Sequence, residues 1–141
     1  MKNFEPKVVV FCCNWCSPVG VDLAGSSKLK STPYSRIIKT TCTGRIEPSF
    51  ILLAFAKGAD GIIIAGCHPG DCHYISGNLK ARRIITLIKN LLSQLGIEPE
   101  RLRLEWISTS EAEKFRSAAD EFMDEVTKLG PLRQIDRVKV K

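Results

Sequence analysis

Six cysteines in this chain of 141 residues fall in three segments, each placed where a short apolar run gives way to polar residues. They are Cys12, Cys13 and Cys16 in the first segment, Cys42 in the second, and Cys67 and Cys72 in the third. Thiolates are the ligands of iron–sulfur clusters and of many structural zinc sites. The pattern therefore predicts a metal centre, provided that the fold brings the three segments to one place.

The apolar runs before the cysteines predict strands that would bring these segments together. Strands are predicted at residues 8–11, 36–40, 61–65 and 102–107. Helices are predicted at residues 20–29, 48–57 and 79–95, and from a capping box at Ser110 to a stop at Gly130. This alternation predicts an α/β fold of flavodoxin-like or Rossmann-like type, a parallel sheet of about four strands with helices on both faces. Consecutive strands then end at one edge, where ligands bind.

The last two predicted helices have apolar stripes at helical spacing. In the third helix the stripe is Leu79, Ile84, Leu87, Ile88, Leu91, Leu92 and Leu95, with Lys80, Arg82, Arg83 and Lys89 on the other face. In the fourth helix it is Ala112, Phe115, Ala119, Phe122, Met123 and Val126, which we expect in the core. Proline suits the first turn at Pro48, and glycine suits the helix ends at Gly58 and Gly96.

Length and composition suit one domain at residues 1–130, followed by a tail at residues 131–141 that alternates apolar and basic residues. The tail is either a disordered end or an arm that docks on a partner. No apolar run is long enough to cross a membrane, and no signal-peptide pattern is present. We therefore expect a cytoplasmic protein, in which thiols stay reduced and cysteine clusters indicate metal or redox chemistry.

Charge and motifs argue against several other functions. The net charge of +6 permits an acidic protein partner or nucleic acid, but the basic residues are spread along the chain, which favours an ordinary solvated surface over a nucleic-acid site. The sequence contains neither a nucleotide-binding glycine motif nor a pairing of nucleophile and base. A metal centre without substrate machinery indicates electron relay rather than catalysis.

The cysteine spacings favour an iron–sulfur cluster over zinc without excluding zinc. Cys13 and Cys16 form a CxxC pair, which redox, zinc and iron–sulfur sites all use. Cys67 and Cys72 form a CxxxxC pair, which does not match a zinc knuckle. A 2Fe-2S cluster tolerates irregular spacing and ligands from separate loops. Cys12 continues the first strand, and we expect it to be a small buried apolar residue.

Residues beside the cysteines are candidates for tuning the centre or contacting a partner. His68 and His73 flank the third segment, where hydrogen bonding to sulfur or exposure to solvent is favoured over ligation. Trp15 either shields the centre from water or marks a partner surface. Arg45 either pairs with the charge of the centre or is exposed. Backbone N–H groups of residues 14–17 and of residues 70–72 are candidate donors to sulfur.

Several motifs together resemble the delta subunit family of methyl-viologen-reducing hydrogenase. The motifs are Cys12-Cys13-Asn14-Trp15-Cys16-Ser17, Cys42-Thr43-Gly44-Arg45, Gly58-Ala59-Asp60-Gly61, Gly66-Cys67-His68-Pro69-Gly70-Asp71-Cys72-His73-Tyr74 and Gly77-Asn78. The chain departs from the family pattern at Pro18, where an aromatic residue is expected.

This resemblance implies a small iron–sulfur protein with a 2Fe-2S cluster and no substrate active site of its own. Such proteins pass electrons from a hydrogenase or formate dehydrogenase to the flavin subunit of heterodisulfide reductase, an electron-bifurcating complex of methanogenic archaea and some anaerobic bacteria. The residues that match the family's cysteines are Cys13, Cys16, Cys42, Cys67 and Cys72, and four of these five are expected to hold the cluster. The preferred set omits Cys16.

Two other functions stay open on the residues alone. One is a structural zinc module that mediates assembly or nucleic-acid binding. The other is a metal-free thiol–disulfide oxidoreductase that uses Cys13 and Cys16. Neither alternative explains the long motif from Cys67 to His73.

Overall fold

The computed structural model describes residues 6–13, 36–40, 46–66, 77–106 and 112–132. Within these ranges the elements are β1 (Val8–Cys13), β2 (Arg36–Thr40), α1 (Pro48–Ala56), β3 (Gly61–Gly66), α2 (Gly77–Gln94), a 3-10 turn (Pro99–Arg101), β4 (Leu102–Trp106) and α3 (Ala112–Leu129). Each lies within a few residues of its prediction. The predicted helix at residues 20–29, the capping residue Ser110 and the tail beyond Leu132 fall outside the described residues.

The described strands form one parallel sheet in the order β2-β1-β3-β4. The predicted α/β class with a parallel sheet is confirmed. Strand β1 is longer than its predicted core of residues 8–11: Cys12, which was expected to continue the strand, and also Cys13 belong to it. Both residues pair with neighbouring strands, Cys12 with Ala65 and Cys13 with Thr40. Backbone pairing on both sides of β1 therefore extends the strand into the cysteine motif.

Helices cover both faces of the sheet. On one face, side chains of β1 and β3 pack against α3 through a cluster that includes Val10, Ile63, Phe115 and Phe122. On the other face, α1 and α2 pack over Phe11, Ile62, Ile64 and Leu102, mainly through Ile51, Phe55, Ile85, Ile88 and Leu92. Alternate residues of β3 thus enter opposite cores, and the whole strand is buried.

The apolar stripe predicted for α3 is confirmed from Phe115 to Val126, where all five residues are buried; the side chain of Ala112 lies outside the described residues. The stripe predicted for α2 was partly wrong. Its buried residues are Ala81, Ile85, Ile88 and Leu92. Leu87, Leu91 and Leu95 are exposed. The apolar arc of α2 is wider than the arc that the sheet covers, so spacing alone could not identify the buried part.

Glycines end the described helices, as the sequence predicted. Gly96 has φ +84°, and its N–H donates to the carbonyl of Ser93 while Ile97 donates to Leu92. This pair of hydrogen bonds is a Schellman motif, in which a left-handed residue closes the last turn. Ile97 and Leu92 both belong to the apolar core under α2, so the cap also anchors the helix end. Gly58 ends α1 in the same way with φ 115°.

Candidate metal centre

The carboxyl ends of β2, β1 and β3 lie side by side at one edge of the sheet, hereafter the carboxyl edge. Cys13 is the last residue of β1 and pairs with Thr40, the last residue of β2. Gly66 ends β3, one step beyond the pair of Cys12 with Ala65. Neighbouring strands are about 4.8 Å apart, so these three ends span about 10 Å.

The strand order places the three strands that precede cysteine segments next to one another. The strands that precede cysteine segments are β1, β2 and β3, and they are adjacent in the sheet. No cysteine follows β4 in the sequence, and this strand lies outside the other three. An order with β4 between two of these strands would have separated the strands that lead into the cysteine segments. The observed order therefore brings the backbone positions that lead into all three segments to one part of the carboxyl edge.

Most of the predicted site residues lie outside the described residues. They are Asn14, Trp15, Cys16, Pro18, Cys42, Arg45, Cys67, His68, Cys72 and His73. The backbone of Cys13 is described, at the end of β1. Among the side chains that are described, no three histidine, cysteine, aspartate or glutamate residues gather as metal ligands. The ligand set stays a prediction.

Cys12 is the cysteine whose side chain is described, and it is completely buried. It belongs to the apolar cluster under α3, together with Val10, Ala65 and Phe115. The prediction that Cys12 is a small apolar core residue is confirmed. Successive residues of a strand face opposite sides of the sheet, and Cys12 therefore shares the α3 side with Val8 and Val10.

Helix geometry makes the carboxyl edge electrostatically suited to thiolates. Each of the described α-helices follows a strand, so its N-terminus lies toward the edge where that strand ends. Helix N-termini carry partial positive charge and lower the pKa of nearby thiols in general. A lysine is also held near this edge, since Nζ of Lys114 donates to the carbonyl of Trp106 at 2.9 Å, at the end of β4. Sequence patterns did not single out Lys114.

The opposite, amino edge of the sheet contains a buried polar network that sequence reasoning missed. Asp60 precedes β3, and its carboxylate accepts from the N–H of Lys7 at 3.0 Å and of Leu132 at 3.1 Å. Arg101 precedes β4 and is 1% exposed. Its guanidinium donates to the carbonyls of Asp60 at 2.9 Å and Gly130 at 2.8 Å and pairs with Glu98 at 2.6 Å.

This network gives a structural role to the motif Gly58-Ala59-Asp60-Gly61. Gly58 caps α1, Ala59 is buried, and Asp60 joins β1 to the end of the described chain. A Cβ on Gly61 would lie 2.8 Å from Phe122 and Val126, so glycine allows the close approach of β3 and α3. The signal of this network in the sequence is a charged residue immediately before a strand, which occurs at both Asp60 and Arg101.

None of the helices in the described ranges combines the length and apolar character needed to cross a membrane.

Comparison with known proteins agrees with the resemblance drawn from the motifs. The family described as methyl-viologen-reducing hydrogenase, delta subunit, matches residues 8–130. The chain is 53% identical over 130 residues to an iron-sulfur subunit of the F420-non-reducing hydrogenase vhc of Methanococcus voltae, covering 92% of this chain and 90% of the relative. It is 48% identical over 132 residues to an iron-sulfur subunit of the F420-non-reducing hydrogenase of Archaeoglobus profundus, covering 94% and 96%.

A third relative contains a similar sequence as part of a much larger protein. The chain is 41% identical over 131 residues to one subunit of the ferredoxin/F420H2-dependent CoB-CoM heterodisulfide reductase of Methanosarcina acetivorans. The match covers 93% of this chain and 16% of that relative. The family match and the extent of these identities show that the chain belongs to the methyl-viologen-reducing hydrogenase delta subunit family.

Proposed function

We propose that this chain is an electron-transfer protein that carries a 2Fe-2S cluster at the carboxyl edge of its sheet. It relays electrons from a hydrogenase or formate dehydrogenase to the flavin subunit of heterodisulfide reductase, in an electron-bifurcating complex of the cytoplasm. The observation that carries the proposal is the adjacency of β2, β1 and β3, the strands that lead into the cysteine segments. The names of the relatives, hydrogenase iron-sulfur subunits and a heterodisulfide reductase subunit, support both the cofactor class and the partners.

The backbone placement fits a cluster held by thiolates from separate segments. Cys13 ends β1, Cys42 follows Thr40 after one residue, and Cys67 follows Gly66 directly. Consecutive Cα atoms are about 3.8 Å apart, so Cys42 and Cys67 stay within about 8 Å of strand ends that are themselves neighbours. These three residues with Cys72 are the proposed ligands, and Cys16 is the alternative fourth. Cys12 takes no part because it is buried in the core under α3.

The strand order also supports a flavodoxin-like site. The observed order corresponds to the first four strands of the flavodoxin-like order 2-1-3-4-5. In that arrangement β2 lies on one side of β1, whereas β3 and β4 lie on the other side. Ligands bind in the crevice between the ends of β1 and β3, where the order of the strands reverses. Cys13 ends one of these strands and Cys67 follows the other.

When bound, the cluster supplies a one-electron redox couple whose potential depends on hydrogen bonds to sulfur and on burial. The protein's part is to hold the thiolates and control their surroundings. We propose that backbone N–H groups of residues 14–17 and 70–72 donate to sulfur and that Trp15 limits access of water. Arg45, His68 and His73 are proposed to set the local charge, and residues 131–141 to act as a docking arm beside the domain at residues 1–130.

The fused relative supports a heterodisulfide reductase subunit in the role of electron acceptor. In Methanosarcina acetivorans a segment like this chain is part of a heterodisulfide reductase polypeptide itself. We take that polypeptide to be the counterpart of the flavin subunit. Covalent fusion keeps two redox partners at high effective concentration. A separate chain of the same family would have to achieve this proximity by binding.

Rapid mixing tests the proposed function. The chain is purified without oxygen, reduced with a stoichiometric amount of dithionite, and mixed with the purified flavin subunit of heterodisulfide reductase while flavin absorbance is followed. We expect oxidation of the chain and reduction of the flavin at matching rates. A reduced iron–sulfur chain that leaves the flavin oxidised would contradict the proposal. Chain reconstituted with zinc serves as the redox-inactive control.

A further inference from the structure

Helix α2 presents an apolar stripe to solvent in addition to the face that it buries. Leu87, Leu91 and Leu95 are 69%, 39% and 48% exposed. Their spacing of four residues aligns them along one side of the helix. Three leucines in line form a continuous apolar surface, whereas single exposed leucines are ordinary on protein surfaces.

Positive charge flanks this leucine stripe. From Gly77 to Gln94 the helix carries Lys80, Arg82, Arg83 and Lys89 and no acidic residue. At about 100° per residue, Lys80 and Arg83 lie within roughly 40° of Leu87 around the helix axis. The four basic residues take no part in the ion pairs recorded among the described residues. By contrast, α3 mixes three basic with five acidic residues. The leucine stripe is therefore bordered by Lys80 and Arg83, which form its basic margin.

The charge of this surface limits what can cover it. A second copy of the chain would bring its own Lys80 and Arg83 against those of the first, which like-charge repulsion disfavours. Residues 133–141 contain Arg133, Arg137, Lys139 and Lys141 against a single acid, Asp136, and are disfavoured for the same reason. An acidic surface on another protein is the complementary occupant.

We propose that the leucine stripe and its basic margin bind an acidic surface with an apolar centre on the flavin subunit of heterodisulfide reductase, an inference that rests on the proposed function. Helix α2 begins at Gly77, eleven residues after the end of β3, on the side of the carboxyl edge. At 1.5 Å per residue, Leu87 is about 15 Å along the helix from that start. Lys80 is about 5 Å from that start, so a partner that covers both Lys80 and the leucine stripe extends to the edge at which the cluster is proposed.

Affinity measurements with a matched pair of variants test this docking surface. The double variant L87S/L91S removes the centre of the stripe, and L53S removes a leucine on α1 that is 52% exposed and remote from it in the sequence. Binding of each holoprotein to the purified flavin subunit is measured by calorimetry. We expect L87S/L91S to raise Kd more than about tenfold and L53S to change it less than about twofold. Iron content and thermal unfolding of both variants verify that they are loaded and folded.

A charge-reversal variant provides a second test of the docking surface. The variant R83E should weaken binding most at low ionic strength, and the difference from wild type should shrink as salt is added. Unchanged affinity of L87S/L91S, or equal weakening by L53S, would overturn the docking surface. If wild type reduces the flavin while L87S/L91S binds as tightly as wild type, the docking surface fails and the proposed function stands. Failure of wild type to bind or reduce the flavin subunit would overturn both.

Discussion

The two edges of the sheet are built from different kinds of polar residue. At the amino edge, Asp60 and Arg101 are buried and hydrogen-bonded to backbone groups from distant parts of the chain. At the carboxyl edge the strands end at, or just before, cysteines. The same strands thus connect a structural edge to a candidate metal edge. The difference indicates that stability and cofactor binding can be altered separately.

The largest expected effect is at the amino edge. Arg101→Ala removes the donors to the carbonyls of Asp60 and Gly130 and leaves these groups without that partner. Because the guanidinium is buried, we expect the free energy of unfolding to fall by about 3 kcal/mol. The measurement is urea unfolding under anaerobic conditions.

Arg103→Ala is the matched control. Arg103 is 20% exposed, pairs with Glu125 at 2.9 Å and lies over the ring of Phe122. Its partners Glu121 and Glu125 are 66% and 39% exposed, and solvent weakens such pairs, so this variant should lose about 1 kcal/mol or less. Equal losses in the two variants would refute the view that the amino edge is held by its buried arginine.

The next effect is steric. Gly61→Ala places a Cβ 2.8 Å from the ring of Phe122 and from Val126. Overpacking of this kind costs about 1–3 kcal/mol. In the double variant G61A/F122L, leucine replaces the opposing ring and relieves the contact. The combined loss of unfolding free energy should therefore be smaller than the sum of the two single losses. Urea midpoints of the four proteins measure the coupling, and additive losses would count against close packing at this point.

Two adjacent cysteines at the end of β1 separate a position in the apolar core from a proposed cluster ligand. Cys12→Ala removes a buried sulfur and should lower the free energy of unfolding by about 1 kcal/mol without changing iron content. Cys13→Ala removes a proposed ligand and should lower iron content and the signal of the reduced cluster. Iron analysis with electron paramagnetic resonance distinguishes them. Loss of iron in the Cys12 variant alone would reverse the assignment.

The smallest effect is expected at Glu98. Its carboxylate pairs with Nε of Arg101 at 2.6 Å, but the side chain of Glu98 is 44% exposed. Solvent screens such a pair, so Glu98→Gln should cost about 0.5 kcal/mol. A loss near that of Arg101→Ala would show that the ion pair, rather than the bonds to carbonyl groups, stabilises the amino edge.

The sequence predicted the parts of the fold that depend on local chemistry. Glycines such as Gly58 and Gly96 mark helix ends because a left-handed residue is needed there. The buried stripe of α3 followed from spacing, as did the core position of Cys12. The order of the strands in the sheet could not be predicted from the sequence, because it depends on contacts between distant segments.

Two further features could not be read from local patterns. The bond from Arg101 to Asp60 joins residues 41 positions apart, so no short motif reports it. In α2, Leu87 and Ile88 are both strongly apolar, and the side of the helix that packs on the sheet decides that one is exposed and the other buried. For the candidate site, cysteine spacing predicted which segments hold the ligands, and the strand order adds that the strands leading into those segments are adjacent.

The most direct test of the metal edge is the metal itself. The wild-type chain is purified without oxygen, and its iron, acid-labile sulfide and zinc are measured together with an electron paramagnetic resonance spectrum after reduction by dithionite. We expect about two iron atoms and about two sulfides per chain, with a signal from a one-electron-reduced cluster. About one zinc per chain without iron would contradict the electron-transfer function and identify a structural zinc module instead.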